Sequence, residues 1–113
     1  MLTHVYGISN CDTVKTTRNL LTEQGVDFVF WDYKKQGLPP DFADWLHALG
    51  WQTLLNKGGT TWRKIDPAMQ ASVCDAASAL TVMQLNNSVV KRPVIVWGAD
   101  TRRAGQVTVG KFW

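Results

Sequence analysis

The chain has little cysteine, little histidine and no long apolar run. It carries two cysteines, Cys11 and Cys74, and two histidines in 113 residues. The cysteines lie far apart and neither belongs to a C-x-x-C pair, which argues against a structural disulfide and against a zinc site. His4 and His47 stand alone and read as structural. No stretch comes near the roughly 20 apolar residues that a membrane-spanning helix needs. The start, Met1-Leu2-Thr3-His4, has neither the basic region nor the apolar segment of a secretory signal. A reducing, cytoplasmic setting is therefore expected, with both thiols free. Charge is modest too: 19% of residues are charged and the formal net charge is +3. The cations come as scattered pairs, Lys34-Lys35, Lys91-Arg92 and Arg102-Arg103, without a basic tail or a continuous basic helix face. That pattern fits a small-anion site better than a nucleic-acid partner, and none of the latter is expected.

No repeat and no linker interrupts the chain, and its length suits one domain with one sizeable core. Six tryptophans are many for that length and are expected to pack the core or line a cleft. Residues 4–8 read as a strand. Residues 13–24 read as a helix, with Val14, Leu20 and Leu21 apolar and Gly25 as its stop. Residues 26–33 are aromatic and β-branched and read as a second strand. Strand, helix, strand in that order predicts a βαβ unit with parallel strands. Gly37 to Pro40 is a loop, and residues 41–49 have Phe42, Trp45, Leu46 and Leu49 at helical spacing. A short helix at 51–55, a glycine-rich turn at 57–61 and a helix over 69–85 opened near Pro67 follow. Residues 94–97 form a buried strand and 106–109 a last hairpin strand. The sum is an α/β protein with a four-stranded mixed sheet and a helical insertion.

Cys11 follows the first strand directly and precedes the first helix. Backbone N–H groups at a helix start are unpaired, and the helix dipole adds partial positive charge there. Both stabilise a thiolate, the nucleophilic form of cysteine. Lys15 and Arg18, four and seven residues on, share its helix face and would add to that effect, or else form a solvated face. Asp12 opposes it, or complements the helix start. Cys74, in an alanine-rich stretch, reads as a small core-facing residue. Gly58 and Gly59 allow a close backbone approach or simply a turn. Phe112 and Trp113 are expected to cover a sheet face.

Asn10-Cys11-Asp12-Thr13, then Leu54-Leu55-Asn56-Lys57, then Lys91-Arg92-Pro93-Val94-Ile95-Val96 resemble the arsenate reductase and Spx family. Gly59-Thr60-Thr61-Trp62-Arg63-Lys64 resembles its YffB-type subgroup more closely still. The resemblance spans nearly the whole chain. It implies a thioredoxin-like fold in a single domain, with residues 1–34 and 90–113 forming the core and 38–88 an all-helical insertion. It also implies a cis proline, Pro93, beside the thiol. In glutaredoxin-linked arsenate reductases the cysteine matched by Cys11 attacks arsenic, glutathione then attacks the adduct, and three arginines hold the oxyanion. Arg92 matches one of these and Arg102 is expected to match another. Asn56 stands where a third would be, and Asp12 where those enzymes have glycine; both changes argue against arsenate as substrate. Spx-type members bind RNA polymerase and many carry a C-x-x-C switch, which Val14, at the second cysteine position, excludes here.

The resemblance therefore implies a monothiol redox protein, a glutathione-dependent thiol reductase in which Cys11 attacks and forms a glutathione mixed disulfide. Asn10, Asp12, Lys15, Asn56, Arg92, Pro93 and Arg102 are the candidate substrate- or glutathione-binding residues. Glutathione is the expected co-substrate and glutaredoxin a partner, with a small anionic or disulfide substrate. No bound cofactor or metal is expected, and a monomer is. Two alternatives stand open: a non-enzymatic regulator that binds RNA polymerase, and an arsenate reductase proper.

Overall fold

The computed structural model describes residues 2–113. They divide into two compact units, one of residues up to Gln36 together with Arg92–Trp113, the other Gly37–Lys91. The first unit holds strand β1 (Thr3–Gly7), helix α1 (Asp12–Glu23), strand β2 (Phe28–Asp32), the short helix α2 (Tyr33–Gln36) and strands β3 (Val94–Val96) and β4 (Val107–Val109). The strands form one mixed sheet in the order β2-β1-β3-β4. β1 runs parallel to β2, with Val5 opposite Phe30, and antiparallel to β3, with Val5 opposite Ile95. β3 pairs antiparallel with β4. This is the thioredoxin-like α/β arrangement, a βαβ unit followed by a hairpin.

Because side chains alternate along a strand, Val5, Phe30 and Ile95 share a face. Val5, Leu21, Ile95 and Trp97 form the buried cluster there, and Val26, Phe28, Phe30 and Phe112 pack against it. Helix α1 turns Val14, Thr17 and Leu21 inward, at helical spacing. Thr17 settles its buried hydroxyl by donating to the Thr13 carbonyl at 2.8 Å. Gly25, at φ 72°, ends the helix in the left-handed region that suits glycine. Phe112 covers the cluster as the sequence suggests, its ring edge-on to Trp97 at 5.2 Å; Trp113 stays half exposed.

The second strand ends earlier than its aromatic run. Asp32 accepts from the Lys34 N–H at 2.9 Å, and Gln36 Oε1 accepts from the Asp32 N–H at 3.1 Å. Those two bonds start α2, so Tyr33 begins a helical turn rather than ending a strand.

The second unit is helical: α3 (Phe42–Leu49), α4 (Trp51–Leu54), α5 (Thr60–Lys64), α6 (Pro67–Ser72), α7 (Ala76–Leu85) and a 3-10 turn over Asn87–Val89. α3 packs on α4 and α7, burying Phe42, Trp45, Leu46, Leu54, Val82 and Met83. The alanine-rich stretch is two helices, not one. Asp75 accepts from the Ser78 N–H while Ser78 Oγ accepts from the Asp75 N–H, and this capping box restarts the chain as α7. Cys74 lies at that break and is exposed, correcting its reading as a core-facing residue. Thr60 and Thr61 belong to α5 rather than to a glycine-rich turn. The unit boundary also differs by a few residues from 38–88. Val90 bridges Leu55 and the Lys91 N–H donates to the Leu54 carbonyl at 2.7 Å, which ties both residues to the helical unit. No helix among the described residues is long and apolar enough to cross a membrane.

The far end of the sheet hangs on one buried hydroxyl. Thr3 is fully buried, and its Oγ1 accepts from the Gly98 N–H at 3.0 Å, fastening the β3–β4 turn to the start of β1. Thr3→Val keeps the shape and orphans that N–H, so urea unfolding should show a loss of about 1–3 kcal/mol. An unchanged midpoint would mean that the bond contributes nothing.

Candidate active site

The parallel strands β1 and β2 end at Gly7 and Asp32, which are in register, and the chain enters β3 through Arg92 and Pro93 at the same sheet end. In parallel α/β sheets this end, beyond the carboxyl termini of the strands, is where ligands bind. The buried Ile8 anchors the chain as it leaves β1. Ser9 and Asn10 then turn, and the Cys11 N–H closes that turn onto the Ile8 carbonyl at 3.2 Å.

Cys11 is the N-cap of α1, with extended backbone (φ −95°, ψ 127°), and its carbonyl accepts from the Lys15 N–H at 2.9 Å. Its side chain makes no capping hydrogen bond. Half-buried Cys11 is thus held at the helix start by its backbone, with its sulfur outside any capping bond. Asn10 and Asp12 flank it and are exposed, Asp12 in the first helical turn. Lys15 is exposed one turn further on. Arg18 does not serve the thiol: its guanidinium lies over the Phe30 ring at 4.2 Å, where it covers the edge strand.

Gly7 draws these elements together. A Cβ on Gly7 would stand 2.7 Å from Val14 Cγ2 and 3.7 Å from Arg92 Cβ. The first distance is too short for a real contact, so the helix is seated against the strand only because residue 7 lacks a side chain. The second places the Arg92 stem beside the strand end that leads to Cys11. Arg92 is half-buried and the Arg92–Pro93 bond is cis. Pro93 is buried and its carbonyl accepts from the Gly110 N–H at 2.8 Å, which ties the entry of β3 to the end of β4.

Tyr33 is a neighbour that sequence reasoning missed. It is fully buried, and burial pushes its phenol well above the ordinary range, with Tyr6 adding to the effect and Arg92 opposing it. The phenol thus stays neutral and feels the Arg92 charge. The spacing of Asp32 and Gln36, a cap followed by a reciprocal partner, is the sequence signal that could have placed it.

One expected residue lies elsewhere. Arg102 sits in the β3–β4 turn, which the Gly98–Thr3 bond fixes at the opposite end of the sheet. β1 alone sets that end roughly 13 Å from Gly7, at about 3.3 Å per residue. Arg102, which the resemblance matched to an oxyanion-holding arginine, is thus carried away from the thiol. Asn56 lies in the helical unit, where its backbone N–H donates to the Val89 carbonyl at 2.7 Å. Its side-chain amide packs against Gly59, whose added Cβ would meet Nδ2 at 2.9 Å. The glycine pair there makes room for Asn56. Among the described residues no group of three or more His, Cys, Asp or Glu could hold a metal ion.

A model of the ArsC family matches residues 6–110. The chain belongs to the ArsC family. An uncharacterized protein of Haemophilus influenzae is 39% identical over 93 residues, 81% of each chain. Among solved structures, the YFFB protein is 39% identical, with a TM-score of 0.82 over 96% of this chain and 90% of that one. An arsenate reductase (ArsC) related protein from Brucella melitensis is 43% identical, with a TM-score of 0.72 over 98% and 88%. The arsenate reductase from Vibrio cholerae shares the fold, with a TM-score of 0.74 at 17% identity. This ArsC chain therefore has the arsenate-reductase-like fold of thiol oxidoreductases, with its N-cap cysteine beyond the carboxyl ends of the parallel strands.

Gly7→Ala tests the seating of that cysteine. Overpacking against Val14 should cost about 1–3 kcal/mol in chemical unfolding. The same change made in a Val14→Ala background should cost less, because the clash is gone. Equal costs in both backgrounds would place the strain elsewhere.

Proposed function

We propose that this ArsC-family protein is a monothiol, glutathione-dependent thiol reductase with Cys11 as its nucleophile. The observation behind this reading is a half-buried thiol at the start of α1, outside any capping bond, with the Arg92 stem converging on the strand that precedes it. The Cys11 thiolate attacks the glutathione sulfur of a glutathionylated substrate, and the substrate leaves as its thiolate. Cys11 is then bonded to glutathione through a mixed disulfide. A second glutathione thiolate attacks that bond, giving oxidised glutathione and free Cys11. Electrons balance: one substrate disulfide is reduced and two glutathione sulfurs end as a disulfide. Arg92 pairs with a carboxylate of the bound tripeptide. Asn10, Asp12 and Lys15 line the approach, and a glutaredoxin thiolate can attack the mixed disulfide in place of the second glutathione, taking up the glutathionyl group and freeing Cys11. Such a monomer operates where glutathione is reduced, in the cytoplasm.

Arsenate reduction is the second reading, favoured by family membership. Against it stands the placement of Arg102 at the far sheet end, which leaves Arg92 as the arginine that this unit brings to Cys11.

The test is turnover of a glutathionylated peptide with reduced glutathione, followed by mass spectrometry. Cys11→Ser should abolish it and Cys74→Ser should leave it intact. Arg92→Gln should slow it by about tenfold or more, as loss of a charge-assisted hydrogen bond would. Full activity of Cys11→Ser, or arsenate turnover faster than peptide turnover, would overturn the proposal.

A further inference from the structure

The far end of the sheet holds a cavity that the redox chemistry does not use. It measures about 610 Å³ and opens beside the β3–β4 turn, a size within the roughly 300–1,000 Å³ of ligand pockets. Its walls are aromatic and cationic. Trp97 is nearly buried, and its indole N–H donates to Thr108 Oγ1 at 2.9 Å, which fixes the ring as a floor. Phe112 stands edge-on to Trp97, and Trp113 stands edge-on to Phe112 at 5.3 Å. Trp113 remains 49% exposed, with the Lys111 ammonium over its ring at 5.9 Å adding a further cation near the site.

The two arginines of the turn differ in what holds them. Arg103 is spent on structure: its guanidinium lies 5.3 Å from the Trp97 ring and 5.9 Å from the Phe112 ring, and Nη2 donates to the Phe112 carbonyl at 3.2 Å. Arg102 lines the same cavity, is exposed, and has no hydrogen bond or ion pair among the described residues. Asp100 is the carboxylate on the rim, so the charged side chains that line the cavity sum to one positive charge.

We infer that this cavity is a second binding site, for a small planar aromatic ligand carrying an anionic group, with the ring against Trp113 and the anion on Arg102. An aromatic ring suits the half-exposed indole, because offset stacking adds to the burial of apolar area. A phosphate or carboxylate suits an arginine fork that has no partner of its own. Neither half of the ligand satisfies the site alone. The strand length between this turn and Gly7 separates it from Cys11, so it does not depend on the redox reading.

The experiment is calorimetric titration of the full chain with adenosine monophosphate and with 1-naphthoate, against adenosine and inorganic phosphate as controls. Two-dimensional NMR follows the Trp97 and Trp113 indole N–H signals and the Cys11 amide. At least one of the two aromatic anions should bind at one equivalent, at least about tenfold tighter than either control. The indole signals should shift and the Cys11 amide should not. Arg102→Gln should weaken binding by about tenfold or more, and Asp100→Asn should tighten it. Absence of binding by both probes overturns the inference, as does binding that shifts Cys11 or is indifferent to Arg102→Gln and Asp100→Asn.

Discussion

A Cβ at residue 7 would stand 2.7 Å from Val14 Cγ2, so the end of β1, the first turn of α1 and the entry to β3 converge only around a glycine. Everything proposed for the thiol follows from that close approach. The strand hands the chain to Ile8, a two-residue turn hands it to Cys11, and Val14 seats the helix on the strand it has just left. The cysteine backbone then serves the helix start while the sulfur does not. A capping serine or aspartate would spend its side chain on the orphan N–H groups. Here the cysteine side chain makes no such bond, and the orphan groups and the dipole stay at the helix start that Cys11 caps.

The sheet separates two kinds of chemistry by its length. At one end lie the strand termini, the thiol, Arg92 and the neutral Tyr33. At the other lie the hairpin turn, its two arginines and the Trp97–Phe112–Trp113 rings. The antiparallel pairing of β3 with β1 decides this, because it sends the chain away from Cys11 immediately after Pro93. Arginines ten residues apart in sequence thereby serve different ends of the fold.

Apolar runs and helical spacing carried most of the architecture. The short apolar, β-branched runs at residues 4–8 and 94–97 and the helical spacing of Val14 and Leu21 foretold the βαβ unit and the hairpin, because burial selects those residue types and that period. What escaped was set by single side chains acting locally. Asp32 and Gln36 end the second strand, and the Asp75–Ser78 box splits one alanine-rich helix into two and leaves Cys74 exposed. Composition alone does not reveal such caps, since the flanking residues favour the longer element. Cys11 was legible because a strand-to-helix junction is a sequence pattern. Arg102 was misplaced because motif spacing says how far along the chain a residue lies, not which sheet end the turn occupies. Gly7 and Tyr33 were invisible as site residues, since their parts depend on what packs against them.

The central claim is that the fold, not exposure, makes Cys11 reactive. Cys74 is the more exposed of the two thiols and serves as an internal reference. The decisive measurement is the ratio of Cys11 to Cys74 modification rates by oxidised glutathione, taken on the folded chain and again in urea. The account predicts a ratio of several-fold or more when folded that falls to near one when the helix start is lost. A ratio near one in the folded chain, or one that survives unfolding, would contradict it.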